Sequence, residues 1–198
     1  MYEDSIEEWK EYVEEEIQAR NDPASVAADN INRIASFLGE KTMINCSTQI
    51  IKEAIEQKDS WQLRQAGYLF LGMISDTCAE LFKKSMDEIM KMSASGLLDP
   101  HPRVRYEAMT SLGLLLTELA PDAQKMFHGQ LIDVLLRLMR EEELLKLRTQ
   151  ATSCMVNFVR GLIDEEAYLD ESSDNQKEYS KILAPYSAHL VETITGLF

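Results

Sequence analysis

The chain has 198 residues, 45% of them hydrophobic, with 8 glycines and 5 prolines. This composition supports a sizeable core and favours helices over sheets. The formal net charge of -14 disfavours binding to nucleic acids and anionic membranes and favours basic partners. The three cysteines lie far apart in apolar contexts, which is typical of a reducing compartment inside the cell.

The N-terminal part is predicted to be a degenerate first helical pair over residues 1–39. Residues 3–20 are strongly acidic and are expected to form either the first helix of this pair or an acidic loop. Residues 24–39 carry apolar side chains at helical spacing and are predicted to form its second helix.

Three further helical pairs are predicted over residues 42–78, 79–120 and 123–164. Each is expected to begin with an amphipathic helix, at residues 42–58, 79–98 and 123–142. The link Asp99–Pro102 separates the two helices of the third pair, because proline breaks a helix interior but suits its first turn.

The C-terminal part combines a polar segment with one more helix. Residues 165–178 are predicted to be a long polar insertion, and residues 179–198 an unpaired terminal helix. Since a repeat pair buries its apolar face only against neighbours, the unpaired helix indicates a piece of a longer solenoid.

A repeat underlies these pairs. Arg64, Arg105 and Arg148 each follow an apolar residue and stand 41 and 43 positions apart, close to the period of HEAT repeats. The residues 3, 7, 10 and 14 positions after each arginine are small or apolar and trace one helix face. We therefore predict an all-α fold, a right-handed HEAT-repeat superhelix of about four helical pairs plus one terminal helix.

The same helical phase predicts which side chains face away from the core. They stand 5, 9 and 12 positions after each arginine, with Glu118 at the edge of this face. These nine positions hold Leu69, Thr110 and Ser153, then Met73, Leu114 and Asn157, then Asp76, Thr117 and Arg160. Acidic or amide side chains here are suited to binding lysine or a peptide backbone. The three repeat arginines are instead expected to pair with neighbouring repeats.

The sequence shows no pattern typical of a catalytic or metal site. None of the three histidines has metal-ligand spacing to a cysteine or carboxylate cluster, and the glycines are isolated. We therefore expect an interaction scaffold, not an enzyme, with no cofactor and no metal.

Several segments resemble the karyopherin-beta nuclear transport receptors, in particular the importin-five or importin beta-three branch. The most specific is the eight-residue block Asp99–Tyr106, and the resemblance extends from about Ala24 to the C-terminus. Supporting segments are Trp61–Gly67, Lys125–His128, Leu135–Met139, Val156–Phe158 and Leu183–Tyr186.

The resemblance implies an internal fragment of a nuclear import receptor. Such receptors bind basic nuclear-localisation segments, ribosomal proteins and histones on the concave face, and RanGTP releases the cargo. Nuclear pore proteins would be further partners, without nucleic acid or membrane, and the protein would shuttle between cytoplasm and nucleus. The alternative that the residues leave open is a HEAT scaffold of another complex, such as a phosphatase regulatory subunit or a chromosome-organising subunit.

The resemblance also singles out cargo-facing positions. Asp76 matches an acidic position and Asn157 an asparagine position of these receptors, whereas Thr110 replaces a frequent asparagine. Arg160 stands where an acid is usual, and Asn32 where the first pair usually has aspartate. Trp61 is a further candidate, which either stacks on a cargo side chain or fills a gap between repeats.

Overall fold

The computed structural model describes Ile6, Trp9 and residues 23–162 and 181–196, and these residues contain helices and no strands. Within residues 23–162 the helices are connected by short links. In chain order they are α1 (Pro23–Leu38), α2 (Glu40–Ile55), α3 (Trp61–Met73), α4 (Ala79–Lys84), α5 (Met86–Ser95), a 3₁₀ turn (Gly96–Leu98), α6 (Pro102–Glu118), α7 (Asp122–Glu141), α8 (Leu145–Leu162), a second 3₁₀ turn (Ala184–Tyr186) and α9 (Ser187–Thr195).

The helices stack as successive pairs. Helix α2 packs on α3, α5 packs on α6, and α7 packs on α8, while α3, α6 and α8 also pack side by side. At the two ends, α1 packs on α2 and α3, and α9 packs on α7. This is the predicted all-α solenoid, in which second helices contact second helices and first helices lie on the other side.

The core lies along the predicted helix face. All twelve positions that follow the repeat arginines by 3, 7, 10 and 14 residues are buried, which confirms the predicted phase. They are Gly67, Leu71, Ile74, Cys78, Ala108, Leu112, Leu115, Leu119, Ala151, Met155, Phe158 and Leu162. The small residue near each helix start allows close approach: a Cβ added at Gly67 would lie 2.8 Å from Ile55 Cγ1.

Local signals set several helix boundaries. The Ser60 side chain accepts a hydrogen bond from the Leu63 amide at 3.3 Å and caps α3. Pro102 occupies the first turn of α6, as the Asp99–Pro102 link predicts. Gly39 separates α1 from α2 with φ of 75°, a conformation that a Cβ would strain.

Two predicted helices differ from the structure. The helix expected at 79–98 is divided into α4, α5 and a 3₁₀ turn, because Ser85 leaves the helical region with φ of −121° and ψ of 29°. The helix after Arg64 ends at Met73, so Ile74, Asp76 and Cys78 lie in the following turns. Ser75 Oγ donates to the Gly72 carbonyl at 2.7 Å, a side-chain bond that competes with the helical ladder.

The C-terminal prediction is partly tested. The helix expected at 179–198 is interrupted by the 3₁₀ turn at Ala184–Tyr186, where Pro185 cannot donate to a helical ladder. The polar insertion predicted at 165–178 lies outside the described residues, as does most of the acidic segment 3–20. None of the described helices is long and apolar enough to span a bilayer.

Repeat arginines form ion pairs between consecutive helical pairs. Arg64 Nε donates to Asp99 Oδ2 at 2.7 Å, and Arg105 Nε donates to Glu142 Oε2 at 3.1 Å. Each arginine also donates from Nη1 to carbonyls of the loop before its own helix. The expected inter-repeat pairing is thus confirmed for these two arginines. For Arg148 it stays a prediction, since its buried Nε has no hydrogen-bond partner among the described residues.

A glycine substitution tests how tightly the pairs are packed. A Cβ at Gly96 would overlap the Tyr68 ring and lie 2.6 Å from Ala108 Cβ. At Gly129 the atom nearest to an added Cβ, apart from the backbone of its own helix, is Tyr186 Oη at 3.6 Å. We expect Gly96→Ala to lower the free energy of unfolding by about 1–3 kcal/mol. The control Gly129→Ala, within α7, should raise it by up to about 1 kcal/mol through helix propensity. Urea unfolding followed by circular dichroism measures both, and equal effects would contradict the close packing.

Candidate peptide-binding surface on the second helices

The nine positions predicted to face away from the core define one surface, here called the second-helix face. It comprises the residues that follow Arg64, Arg105 and Arg148 by 5, 9 and 12 positions. None of the nine side chains is buried, and four are exposed, namely Asp76, Thr117, Ser153 and Arg160. The division of each second-helix segment into a packing side and an open side is therefore confirmed.

Thr110 connects two second helices at the middle of this face. Its Oγ1 donates to the Tyr106 carbonyl at 3.0 Å and accepts from Gln150 Nε2 at 2.9 Å. This links α6 to α8. The Thr110 hydroxyl therefore bonds to its own helix and to the neighbouring helix, and Thr110 is half-buried.

Asn157 lies further along the second-helix face. Its Nδ2 donates to the Gly113 carbonyl across the α6–α8 contact at 3.4 Å. A Cβ at Gly113 would lie 3.1 Å from this nitrogen, so glycine makes room for the amide. The Asn157 side chain is half-buried. Its amide can thus contribute to the second-helix face while it bridges two helices.

Asp76 and Glu118 bring two carboxylates together at the far ends of the second helices. Asp76 lies exposed in the turn after α3, and half-buried Glu118 is the last residue of α6. Burial and then repulsion from Asp76 raise the pKa of Glu118, while Lys83 lowers it. Among the described residues, no ion pair involves the Asp76 carboxylate. Two neighbouring carboxylates of this kind favour a bound cation.

Trp61 lies at the start of α3 against the next repeat. Its ring stacks on His101, with centroids 4.0 Å apart and 4° between the planes. The Arg103 guanidinium lies 5.3 Å from the Trp61 ring centroid. The indole thus fills space between repeats, and Trp61 is half-buried. Asn32 on α1, which stands where the resembling receptors usually have aspartate, is exposed.

The partners of the repeat arginines were missed by sequence reasoning. Asp99 and Glu142 stand 35 and 37 positions after Arg64 and Arg105, and this near-constant offset is the signal that could have identified them. Burial alone would raise the pKa of Asp99. Hydrogen bonds from Arg64 and from the His101 amide outweigh it and lower the pKa. Both ion pairs are largely buried.

Two other groups had no sequence signal of their own. Glu107 is buried in α6, where burial raises its pKa to about 7 and a hydrogen bond with Gln65 opposes the shift. Trp9, in the acidic N-terminal segment, packs against α6 and α8. Both depend on contacts between distant parts of the chain. The described residues contain no group of three or more metal-ligating side chains.

Comparison with known proteins places this surface in context. No family model matches the chain. Over 176 residues, 87% of its length, it is 27% identical to importin subunit beta-3 of Saccharomyces cerevisiae and covers 16% of that protein. The chain is similar to a segment of a karyopherin. The predicted resemblance to the importin beta-three branch is thus confirmed.

Solved karyopherin structures share the fold. The chain superposes with a TM-score of 0.78 on Kap121p bound to Nup53p, and of 0.77 on Kap121p bound to Pho4p, each at 24% identity. These matches cover 96% of this chain and 17% of the other. The HEAT-repeat solenoid is therefore confirmed, and the chain spans about a sixth of the length of the proteins it matches.

The pH dependence of stability tests the burial of Glu107. Its folded pKa of about 7 exceeds the ordinary value of 4.5, so the folded state holds the proton more tightly. Stability from this group is then full below pH 4.5 and is lost as the pH rises through 7. We expect Glu107→Gln to be more stable than the wild type at pH 8 by about 3 kcal/mol, with little difference at pH 4.5.

Urea unfolding at these two pH values measures the difference between the variants, which removes the contribution of other titrating groups. The conservative change keeps the oxygen that Gln65 contacts. Equal pH dependence of the two proteins would show that Glu107 is not held in a buried, neutral form.

Proposed function

We propose that this chain acts as part of a nuclear transport receptor and binds a basic peptide segment along its second-helix face. The observation that carries this proposal is the pair of adjacent carboxylates, Asp76 and Glu118, at the ends of α3 and α6. Repulsion from Asp76 helps to raise the Glu118 pKa, so an incoming ammonium or guanidinium group relieves an unfavourable interaction at this end of the face.

The face also has groups that suit a peptide backbone. Asn157 and Thr110 lie half-buried between α6 and α8, where an amide or hydroxyl can bond to an extended chain. The chain's net charge of -14 attracts basic segments over a longer range. Such recognition combines charge attraction with hydrogen bonds and weakens as salt increases.

Arg160 limits the acidic part of the face. It is exposed at the end of α8, one repeat beyond Asp76 and Glu118. A basic ligand is therefore attracted at α3 and α6 and repelled at α8. We infer that lysine or arginine side chains of the ligand lie beside the first two helices of the row.

The relatives support a transport role. Solved structures show Kap121p bound to Nup53p, Pho4p, Ste12p and the extreme C-terminus of Cdc14p. Another is a Kap121p mutant in which three acidic residues are replaced by lysine. By analogy we propose cargo segments and a nucleoporin as partners, release of cargo by RanGTP, and shuttling between cytoplasm and nucleus. No catalytic activity is proposed.

Charge reversal tests the binding face. A fluorescent lysine-rich peptide is titrated with the 198-residue chain at low salt, and binding is followed by anisotropy. Asp76→Lys is expected to weaken binding about tenfold, equivalent to about 1.4 kcal/mol. Arg160→Glu should tighten it several-fold. The control Asp133→Lys changes the charge equally on α7, a first helix, and should have less than a twofold effect.

Equal effects of Asp76→Lys and Asp133→Lys would reduce the interaction to net charge alone and reject the proposed site. Absence of binding at low salt by the folded wild-type chain would reject it as well. The receptor role is tested separately by pull-down of the full-length protein from cells, with and without RanGTP. Loss of bound partners on addition of RanGTP supports this role. Partners that stay bound indicate a different HEAT scaffold.

A further inference from the structure

Trp9 occupies a defined cleft on the solenoid. Its side chain is 9% exposed, although it belongs to the acidic N-terminal segment. The ring meets Tyr106 edge-on, with centroids 5.7 Å apart and an interplanar angle of 90°. Lys146 Nζ lies 4.7 Å from the indole centroid, and Arg103 Cζ lies 5.6 Å from it. These three contacts hold the indole in one place.

The residues around Trp9 come from two neighbouring second helices. Arg103 and Tyr106 lie near the start of α6, and Lys146 lies at the start of α8. We call the space bounded by Arg103, Tyr106 and Lys146 the aromatic-cationic cleft. An edge-on ring contact and cations over the indole are both attractive, each by about 0.5–1.5 kcal/mol. Lys146 also donates to the Trp9 carbonyl at 3.1 Å, so the cleft contacts backbone as well as side chain.

The charge of the cleft fits the sequence around Trp9. Residues 3–16 contain eight acidic residues and one lysine. The cleft supplies two cations, and the amino ends of α6 and α8 add partial positive charge. By contrast, the carboxylates of Asp76 and Glu118 lie at the opposite ends of the second helices. The aromatic-cationic cleft and the pair of carboxylates thus lie at opposite ends of these helices.

We propose that the aromatic-cationic cleft is a binding site for a tryptophan on an acidic segment, and that Trp9 of the same chain is its occupant. The site lies one helical turn from Thr110, whose hydroxyl bonds to the Tyr106 carbonyl. Trp9 therefore competes with any peptide that approaches the amino ends of α6 and α8. This inference is independent of basic-peptide binding, since it involves neither Asp76 nor Glu118.

The fluorescence of Trp9 tests its burial. The chain has two tryptophans, so Trp61→Phe leaves Trp9 as the reporter. We expect blue-shifted emission and quenching by acrylamide several-fold weaker than in a synthetic peptide of residues 3–20. Adding Lys146→Glu should shift the emission to the red and increase quenching. The control Lys91→Glu, an exposed lysine of α5, should leave both unchanged.

Circular dichroism checks that each variant stays folded. Quenching of Trp9 equal to that of the free peptide would overturn the proposal, as would an unchanged signal in Lys146→Glu. The burial must also be independent of protein concentration. Loss of the blue shift on dilution would identify a second copy of the chain as the source of the indole and reject binding within one chain.

Competition tests the chemistry of the ligand. The labelled peptide of residues 3–20 is titrated with the complete 198-residue chain. We expect it to bind Trp9→Ala at least tenfold more tightly than the wild type, because the cleft is then open. A peptide in which the tryptophan is replaced by alanine should bind neither protein. Equal affinity of the original peptide for both proteins, or no loss of affinity in the tryptophan-free peptide, would contradict the proposal.

Discussion

The guanidinium groups of Arg64 and Arg105 set the spacing from which the rest of the solenoid follows. Each one closes the loop before its own helix through carbonyl contacts and binds a carboxylate at the entrance to the next second helix. The pairs are largely buried, so removal of one partner would leave an uncompensated charge in the packed link. Arginine suits this task because its planar fork binds a carboxylate and a carbonyl at once.

This spacing brings the second helices into side-by-side contact. Gly72, against Ser111 of α6, and Gly113, against α8, permit the approach. Thr110 with Gln150 and Asn157 with Gly113 connect the open side of α6 to α8. The side chains of the second-helix face remain accessible along α3, α6 and α8. This face is a consequence of packing, and it would exist whether or not a ligand used it.

Three charged groups near the ends of α6 and α8 are placed against the helix dipoles. Arg103 and Lys146 stand near helix starts, where partial positive charge disfavours cations, while Glu118 ends α6, where partial negative charge disfavours acids. Stability alone would select the reverse arrangement. Local choices that oppose stability are expected at functional sites. Basic ligands at the carboxyl ends and the acidic Trp9 segment at the amino ends both reduce this cost.

Several features followed from the sequence because they depend on near neighbours. The 41- and 43-residue spacing, the apolar phase after each arginine and the proline link predicted the paired helices and all twelve core positions. The predictions were less accurate where short polar residues decide the local backbone. Ser75 ends α3 early and places Asp76 in a turn, and Ser85 divides the first helix of the third pair. Serine is compatible with helix and turn alike, so its spacing does not reveal the choice.

The sequence by itself determined the fold class, the repeat and the side of each second helix that stays open, since these arise from periodicity within about twenty residues. The tertiary structure decided which distant groups meet. It brought Asp99 to Arg64, Asp76 to Glu118, and Trp9 to a cleft whose Lys146 lies 137 positions away. Those contacts depend on how one helical pair stacks on the next, which no local pattern specifies.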